Sequence, residues 1–294
     1  MSILISGKEV SEKIRSEIKI KTENLFINTG IRPGLAMLLV GEDPASKIYV
    51  SSKEKACAEL GFYSILKRLP SETPELEVLS IIESWNNDPL VHGILVQMPL
   101  PSHIDSEKVI MAVSPRKDVD GFHPENVGRL VIGLPGFVSC TPAGIMELLK
   151  RYEIPLKGKH VVVLGRSNIV GKPIANLLYQ KNSDANAIVT ICHTAAKDVS
   201  FYTKHADIII AAMGRAHAIG AEDVKEGVTI IDVGINRIED SILPKGYRIV
   251  GDVDFEAVNK KAYAITPVPG GVGPMTISML MSNTYKSASG EIGF

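Results

Sequence analysis

The chain has 294 residues, 45% of them hydrophobic and 22% charged, with a formal net charge of -1 at pH 7. That length reaches the size at which single cores stop growing, so two domains are expected, and the balanced charge gives no electrostatic reason for a nucleic acid partner. The three cysteines, Cys57, Cys140 and Cys192, are widely spaced and lack histidines at metal-site spacing, so they read as reduced core thiols and no metal is expected. With no apolar stretch of 18 residues and no basic-then-apolar leader in MSILISGKEV, the expected setting is cytoplasmic, without a membrane partner.

In chain order, the apolar run Leu35–Val40 is followed by the turn Gly41-Glu42-Asp43-Pro44 and helical spacing from Ala45 to Leu60, one β-α unit. A strand near Phe62–Leu69, a helix opened by Thr73-Pro74 and a third strand at Val91–Val96 make the first third an α/β domain. From Ser114 to Cys140 the sequence is rich in Gly, Pro and charge and reads as an ordered functional loop rather than a long element. Thr141-Pro142 opens a helix to about Arg151, and a second β-α series begins at Val161–Leu164. Further strands near Ile188–Cys192, Asp207–Ala211, Thr229–Val233 and Tyr263–Ile265 predict a Rossmann-like, doubly wound parallel sheet. A Pro/Gly cluster at 266–274 leads into an apolar helix, Met275 to about Lys286, which is expected to return to the first domain, and SASGEIGF reads as a frayed end. The expected domains are therefore 1–141 plus 275–294, and 142–274.

The strand VVVL runs into Gly165-Arg166-Ser167-Asn168-Ile169-Val170-Gly171 and then a helix, a context in which backbone N–H groups and the helix dipole favour phosphate. Ser167 replaces the middle glycine of the dinucleotide fingerprint, so an ordinary β-α turn stays open as the alternative. An NAD site carries a carboxylate at the end of the second strand; here that strand ends Ile191-Cys192-His193-Thr194, and Arg166 offers a guanidinium for a 2′-phosphate. NADP is preferred. Asp184 falls before the strand and reads as a loop residue, and His193 as a polar contact rather than a metal ligand.

In the first domain Tyr49 and Lys53 lie four residues apart and project from one helix face. A partly desolvated lysine can exchange protons near neutrality, although neighbouring Lys47 and Lys55 leave a solvated basic face as the alternative. Gln97 emerges at a strand end where open α/β sheets bind ligands, and Asp118 and Asp120 stand two apart in a loop, suited to a ring with several N–H donors, with turn chemistry or Mg²⁺ as alternatives. Tyr-x-x-x-Lys also occurs in short-chain dehydrogenases, but there it follows an N-terminal fingerprint, whereas here Gly165 comes more than a hundred residues after Tyr49.

Taken together, VGEDPASKIYVSSKEKAC, ILVQMPLP, KDVDGFHPENVGRL, CTPAGIMELL, GRSNIVGKP and TPVPGGVGPMTISML closely resemble the bifunctional methylenetetrahydrofolate dehydrogenase/methenyltetrahydrofolate cyclohydrolase family, over about residues 1–288. The resemblance implies a homodimeric enzyme of one-carbon metabolism and purine biosynthesis, with a folate substrate, NADP, and an active site in the cleft between an N-terminal folate-binding domain and the Rossmann-like domain. It implies that Lys53 is the catalytic lysine, Gln97 its supporting amide, Tyr49 the pterin-stacking and positioning residue, and Asp120 the pterin-binding carboxylate. By the same resemblance Pro269, Gly270 and Gly273 form a substrate-side loop, and Gly165, Arg166, Ser167, Thr194 and Ile235 contact the cofactor. Thr194 stands where some relatives have Ser, after a polar segment, Lys181–Asn186, that looks like an insertion a surface loop would absorb. A dehydrogenase without hydrolysis and a non-catalytic nucleotide-binding protein on the same fold are the alternatives.

Overall fold

The computed structural model describes residues 2–241 and 246–292. It forms two compact units, one of Glu12–Cys140 with Ile277–Phe294 and one of Met1–Ser11 with Thr141–Thr276. Both are α/β with parallel sheets. The chain opens with a short strand β1 (Ile3–Leu4) and a long helix α1 (Gly7–Thr29), followed by β2 (Gly34–Val40), α2 (Pro44–Leu60), β3 (Tyr63–Leu69), α3 (Glu75–Asn87) and β4 (Gly93–Val96). The last three strands pair in parallel in the order β3-β2-β4. All seven residues of β2 are buried, which explains the unbroken apolar run GLAMLLV: a central parallel strand is covered on both faces. Helix α2 begins where the Asp43 side chain accepts from Ser46 N at 2.7 Å with Pro44 in the first turn, and it stops at Gly61. Val78, Ile82 and Trp85 of α3 close the core against Leu38 and Ile94.

After α4 (Ser106–Ala112), the segment expected to be an irregular loop contains a nine-residue helix, α5 (Pro124–Ile132). The His123 ring accepts from Glu125 N at its start and Gly133 ends it, the Pro-first, Gly-last asymmetry of short helices. Helix α1 was likewise not anticipated from the sequence; it buries Val10, Ile14 and Ile18, a stripe of spacing four.

The second unit continues with α6 (Cys140–Arg151), β5 (His160–Leu164), α7 (Gly171–Tyr179), β6 (Ile188–Cys192), α8 (Ser200–Thr203), β7 (Ile208–Ala211), β8 (Thr229–Asp232), β9 (Asn236–Glu239), β10 (Tyr247–Val250), α9 (Phe255–Val258) and β11 (Ala264–Ile265), and the chain ends in α10 (Val272–Ser289). Its six-stranded sheet has the order β1-β11-β8-β7-β5-β6, parallel throughout, while β9 and β10 form a separate antiparallel pair. The chain leaves β5 for β6 on one side and returns to β7 on the other, so the topological switch point, where such sheets bind ligands, falls at the carboxyl end of β5.

Two boundaries differ from those read in the sequence. Met1–Ser11 groups with the second unit instead of the first, because Ile3 pairs with Ala264 and Leu4 with Ile265 in the six-stranded sheet. The last helix runs on to Ser289, into the stretch expected to fray, and Gly293 and Phe294 lie outside the described residues. Most of α10 does join the first unit, where Asn283 donates to Val119 O at 2.8 Å and Val138 O at 3.1 Å. All three cysteines are free, buried thiols, and among the described residues no helix is long and apolar enough to cross a membrane.

Candidate functional site

In the first unit a polar cluster interrupts an apolar core. Tyr49 and Lys53 sit one turn apart on α2, as their spacing requires, but Tyr49 is 44% exposed and Lys53 only 9%. The Lys53 Nζ donates to Gln97 Oε1 at 3.0 Å. Gln97 follows β4 directly; its backbone N–H extends the ladder to Leu38 O and its Nε2 donates to Met98 O at 2.7 Å, which turns the amide oxygen toward the lysine. Asp120 is half-buried. Burial raises its pKa, opposed by the positive charge of Lys53 and then by the Cys140 thiol, 3.9 Å from Oδ1. Lys53 thus joins an amide acceptor by a hydrogen bond and a carboxyl by electrostatic attraction, an arrangement able to hold a donor-rich ring and to move a proton.

Asp118 does not share that role, contrary to the reading of two paired carboxylates. It is 5% exposed and accepts from Phe122 N, His123 N and Asn126 Nδ2 at 3.2, 2.8 and 2.8 Å, which is turn chemistry. Burial nevertheless pushes its pKa up to about 7. Asp118→Ala is therefore expected to lower unfolding free energy by about 2–4 kcal/mol, the cost of leaving buried donors unpaired, measured by urea unfolding above that pKa. A loss within the error of the measurement would remove Asp118 from the structural account.

In the second unit a cavity of about 280 Å³ opens at the carboxyl ends of β5, β6 and β7, with Gly165, Arg166, Ser167, His193, Thr194 and Arg215 among its walls. Gly165 turns the chain at φ +125°, and a Cβ there would stand 2.3 Å from Ala212 O. Ser167, in place of the middle glycine, uses its hydroxyl to accept from Val170 N at 3.1 Å and Gly171 N at 3.3 Å, and its carbonyl accepts from Lys172 N. The first N–H groups of α7 are thus taken by the loop itself. Those of Arg166, Ser167 and Asn168 have no partner among the described residues and remain for an anion.

Among the described residues no carboxylate lines the cavity at the end of β6; Asp184 lies at the other end, on the surface, paired with Lys150 at 2.6 Å. His193 closes its own turn, Nδ1 accepting from Ala195 N at 3.3 Å. Arg166 and Arg215 have no ion pair among the described residues. Two uncompensated guanidiniums and free N–H groups suit a phosphorylated dinucleotide.

Family models match both halves: the tetrahydrofolate dehydrogenase/cyclohydrolase catalytic domain over residues 5–120 and the corresponding NAD(P)-binding domain over residues 139–292. The chain belongs to the tetrahydrofolate dehydrogenase/cyclohydrolase family. It is 57% identical to the bifunctional protein FolD of Chloroherpeton thalassium over 97% of this chain and 98% of that protein. Among solved structures it is similar to the bifunctional FolD methylenetetrahydrofolate dehydrogenase/cyclohydrolase of Campylobacter jejuni, with TM-score 0.93 and 50% identity, covering 99% of this chain and 100% of that one. It is also similar to the Trypanosoma brucei N5,N10-methylenetetrahydrofolate dehydrogenase-cyclohydrolase (FolD) complexed with NADP cofactor and inhibitor, with TM-score 0.92 and 37% identity, covering 99% and 98%.

Set on this member of the tetrahydrofolate dehydrogenase/cyclohydrolase family, the expected site residues fall into three places. Lys53, Gln97 and Asp120 come together, with Tyr49 one turn along α2. Gly165, Arg166, Ser167 and Thr194 line one cavity, while Ile235 lies in the loop after β8, 56% exposed and outside that wall. Pro269, Gly270 and Gly273 lie where β11 hands over to α10, with Gly270 O accepting from Lys8 N at 3.0 Å. Sequence reasoning missed Arg215 and Asp252. Arg215 follows β7 by four residues, and its strand-end position was a usable signal. Asp252 holds the loop of Arg215 from 37 to 39 residues away, and no local pattern announces that.

Proposed function

We propose that this chain oxidises 5,10-methylenetetrahydrofolate with NADP and hydrolyses the resulting 5,10-methenyl cation to 10-formyltetrahydrofolate. The observation that carries the reading is the Lys53–Gln97–Asp120 cluster, and it is supported by the bifunctional FolD relatives of Chloroherpeton thalassium and Campylobacter jejuni. NADP, when bound, accepts a hydride from the methylene carbon. Oxidation needs no protein base, since the folate nitrogen stabilises the developing cation, and the residues around it chiefly hold the reacting carbon in near-attack geometry. Tyr49 stacks on the pterin, Asp120 accepts from its N–H donors, and Pro269, Gly270 and Gly273 border the folate.

Hydrolysis begins as water adds to the methenyl carbon and loses one proton, giving a neutral hydroxyl adduct; N5 then takes a proton as its bond to that carbon breaks and the adduct's hydroxyl gives up its own, so that the formyl group is left on N10 and one proton is released overall. Lys53 manages these protons and stabilises the tetrahedral adduct, with Gln97 Oε1 fixing its Nζ. In the other unit Gly165, Arg166, Ser167 and Thr194 hold the cofactor phosphates, and Ile235 makes a further contact. The absence of a carboxylate after Ile191, with Arg166 beside it, favours NADP over NAD. The active species is a cytoplasmic homodimer formed through the second domain, and its product serves formyl transfer in purine biosynthesis; sedimentation equilibrium checks the dimer.

The test is a near-ultraviolet absorbance assay with 5,10-methylenetetrahydrofolate and each nicotinamide cofactor. Turnover with NADP is expected, and its absence would overturn the reading. Arg166→Ala is expected to raise the KM for NADP about tenfold to a hundredfold, the loss of one charge-assisted contact. An unchanged KM, or equal use of NAD by the parent protein, would contradict the cofactor assignment.

A further inference from the structure

The loop Met213-Gly214-Arg215 leaves β7 on the side of β5 away from β6 and lines the same cavity as Arg166 and Thr194. It is held by one side chain. Asp252 is fully buried; its Oδ2 accepts from Met213 N at 2.5 Å and Gly214 N at 3.0 Å, and its Oδ1 accepts from Arg215 N at 2.9 Å and Asn236 Nδ2 at 2.8 Å. Asp252 N in turn donates to Asp232 Oδ1 at 3.0 Å. Four donors converge on one carboxylate, and no cation pairs with it among the described residues. A buried carboxyl group is retained at such a place when its hydrogen bonds are complete, and here they fix the backbone that presents Arg215. The Arg215 side chain is exposed and has no partner among the described residues. The rest of the cavity supplies apolar walls, Ala196, Val199 and Met213, and a second free guanidinium, Arg166. Apolar walls suit an adenine ring, and two guanidiniums without a carboxylate suit a dianion attached close to it.

We propose that Arg215 is a second, specificity-determining cation for the 2′-phosphate of the cofactor, and that Asp252 is the residue that positions it. This rests on the NADP reading above. Arg166 and Arg215 then grip the phosphate from the ends of adjacent strands, and a guanidinium's fork serves a phosphate better than an ammonium does.

The experiment is calorimetric titration of the full chain with adenosine 2′,5′-bisphosphate and adenosine 5′-monophosphate, which differ only in the 2′-phosphate. Arg215→Ala is expected to weaken the bisphosphate about tenfold to a hundredfold and the monophosphate by less than about twofold, with Arg215→Lys in between. Asp252→Asn is expected to reproduce the selective loss, and the double variant R215A/D252N to add little to it, because both changes remove one interaction. Equal weakening of both ligands by R215A would place the guanidinium elsewhere on the nucleotide, and unchanged affinities would remove it from the site; either overturns the proposal. A loss from D252N that is equal for both ligands, or additive with R215A, would reduce Asp252 to a structural role and overturn the positioning claim. If D252N fails to fold, the two Arg215 variants decide the specificity claim and Asn236→Ala, which frees one Asp252 oxygen from its side-chain donor, takes its place: no selective change would count against positioning. A parent protein that binds the two ligands equally would instead overturn the NADP reading itself.

Discussion

Lys53→Met is expected to lower the rate of methenyltetrahydrofolate hydrolysis by about a thousandfold or more, within the range assigned to a single acid-base group with its electrostatic contribution. Methionine matches the length of the buried lysine stem, so the core around α2 is preserved while the charge is lost. Gln97 Oε1 then has no ammonium to accept from, and Asp120 loses the charge that opposes its burial. Both partners change state, so the substitution removes more than one hydrogen bond. Folate binding is expected to survive in part, since Tyr49 and Asp120 remain. Stopped-flow decay of added methenyl substrate, with circular dichroism to verify folding, separates the outcomes: hydrolysis at the parental rate would sink the assignment of Lys53.

Gly165→Ala is expected to weaken NADP binding about a hundredfold. The residue stands at φ +125° with the position of a Cβ 2.3 Å from Ala212 O, and the contact is with backbone, which cannot rotate away. Strained φ alone costs about 1–3 kcal/mol, and relief of the clash must shift either the phosphate loop or the start of the Arg215 loop. Both carry residues proposed to contact the cofactor. Hydrolysis of added methenyl substrate is assigned above to Lys53 and Gln97 of the other unit and is expected to persist. Fluorescence titration with NADP and a thermal melt check the two consequences, and NADP affinity within twofold of the parent would contradict the role of this turn.

What was legible in the sequence was what local chemistry encodes. The run GLAMLLV announces a strand covered on both faces, and Asp43-Pro44 with Gly61 brackets α2. The spacing of Tyr49 and Lys53 puts them on one face, but the step from 44% to 9% exposure along that face depends on what packs above it, which no spacing states. Helix α1 escaped notice because its stripe of Val10, Ile14 and Ile18 is one residue wide and is blurred by exposed Ile20 and Ile27. The placement of β1 depends on a partner about 260 residues away. Distance in the chain also hid Asp252, whose four donors come from the loop after β7 and from the first residue of β9. Asp118 and Asp120 show the converse limit: one pattern, D-x-D, hides a turn carboxylate and a carboxylate proposed for the site, told apart only by which groups surround each.

The joint assignment of both reactions to one chain is tested most directly by a single progress curve with 5,10-methylenetetrahydrofolate and NADP, with aliquots quenched and assayed for NADPH and for 10-formyltetrahydrofolate. NADPH and the formyl product are expected to rise together toward equal amounts. NADPH accompanied by methenyl intermediate that decays only at its uncatalysed rate would contradict the account, as would the absence of NADPH.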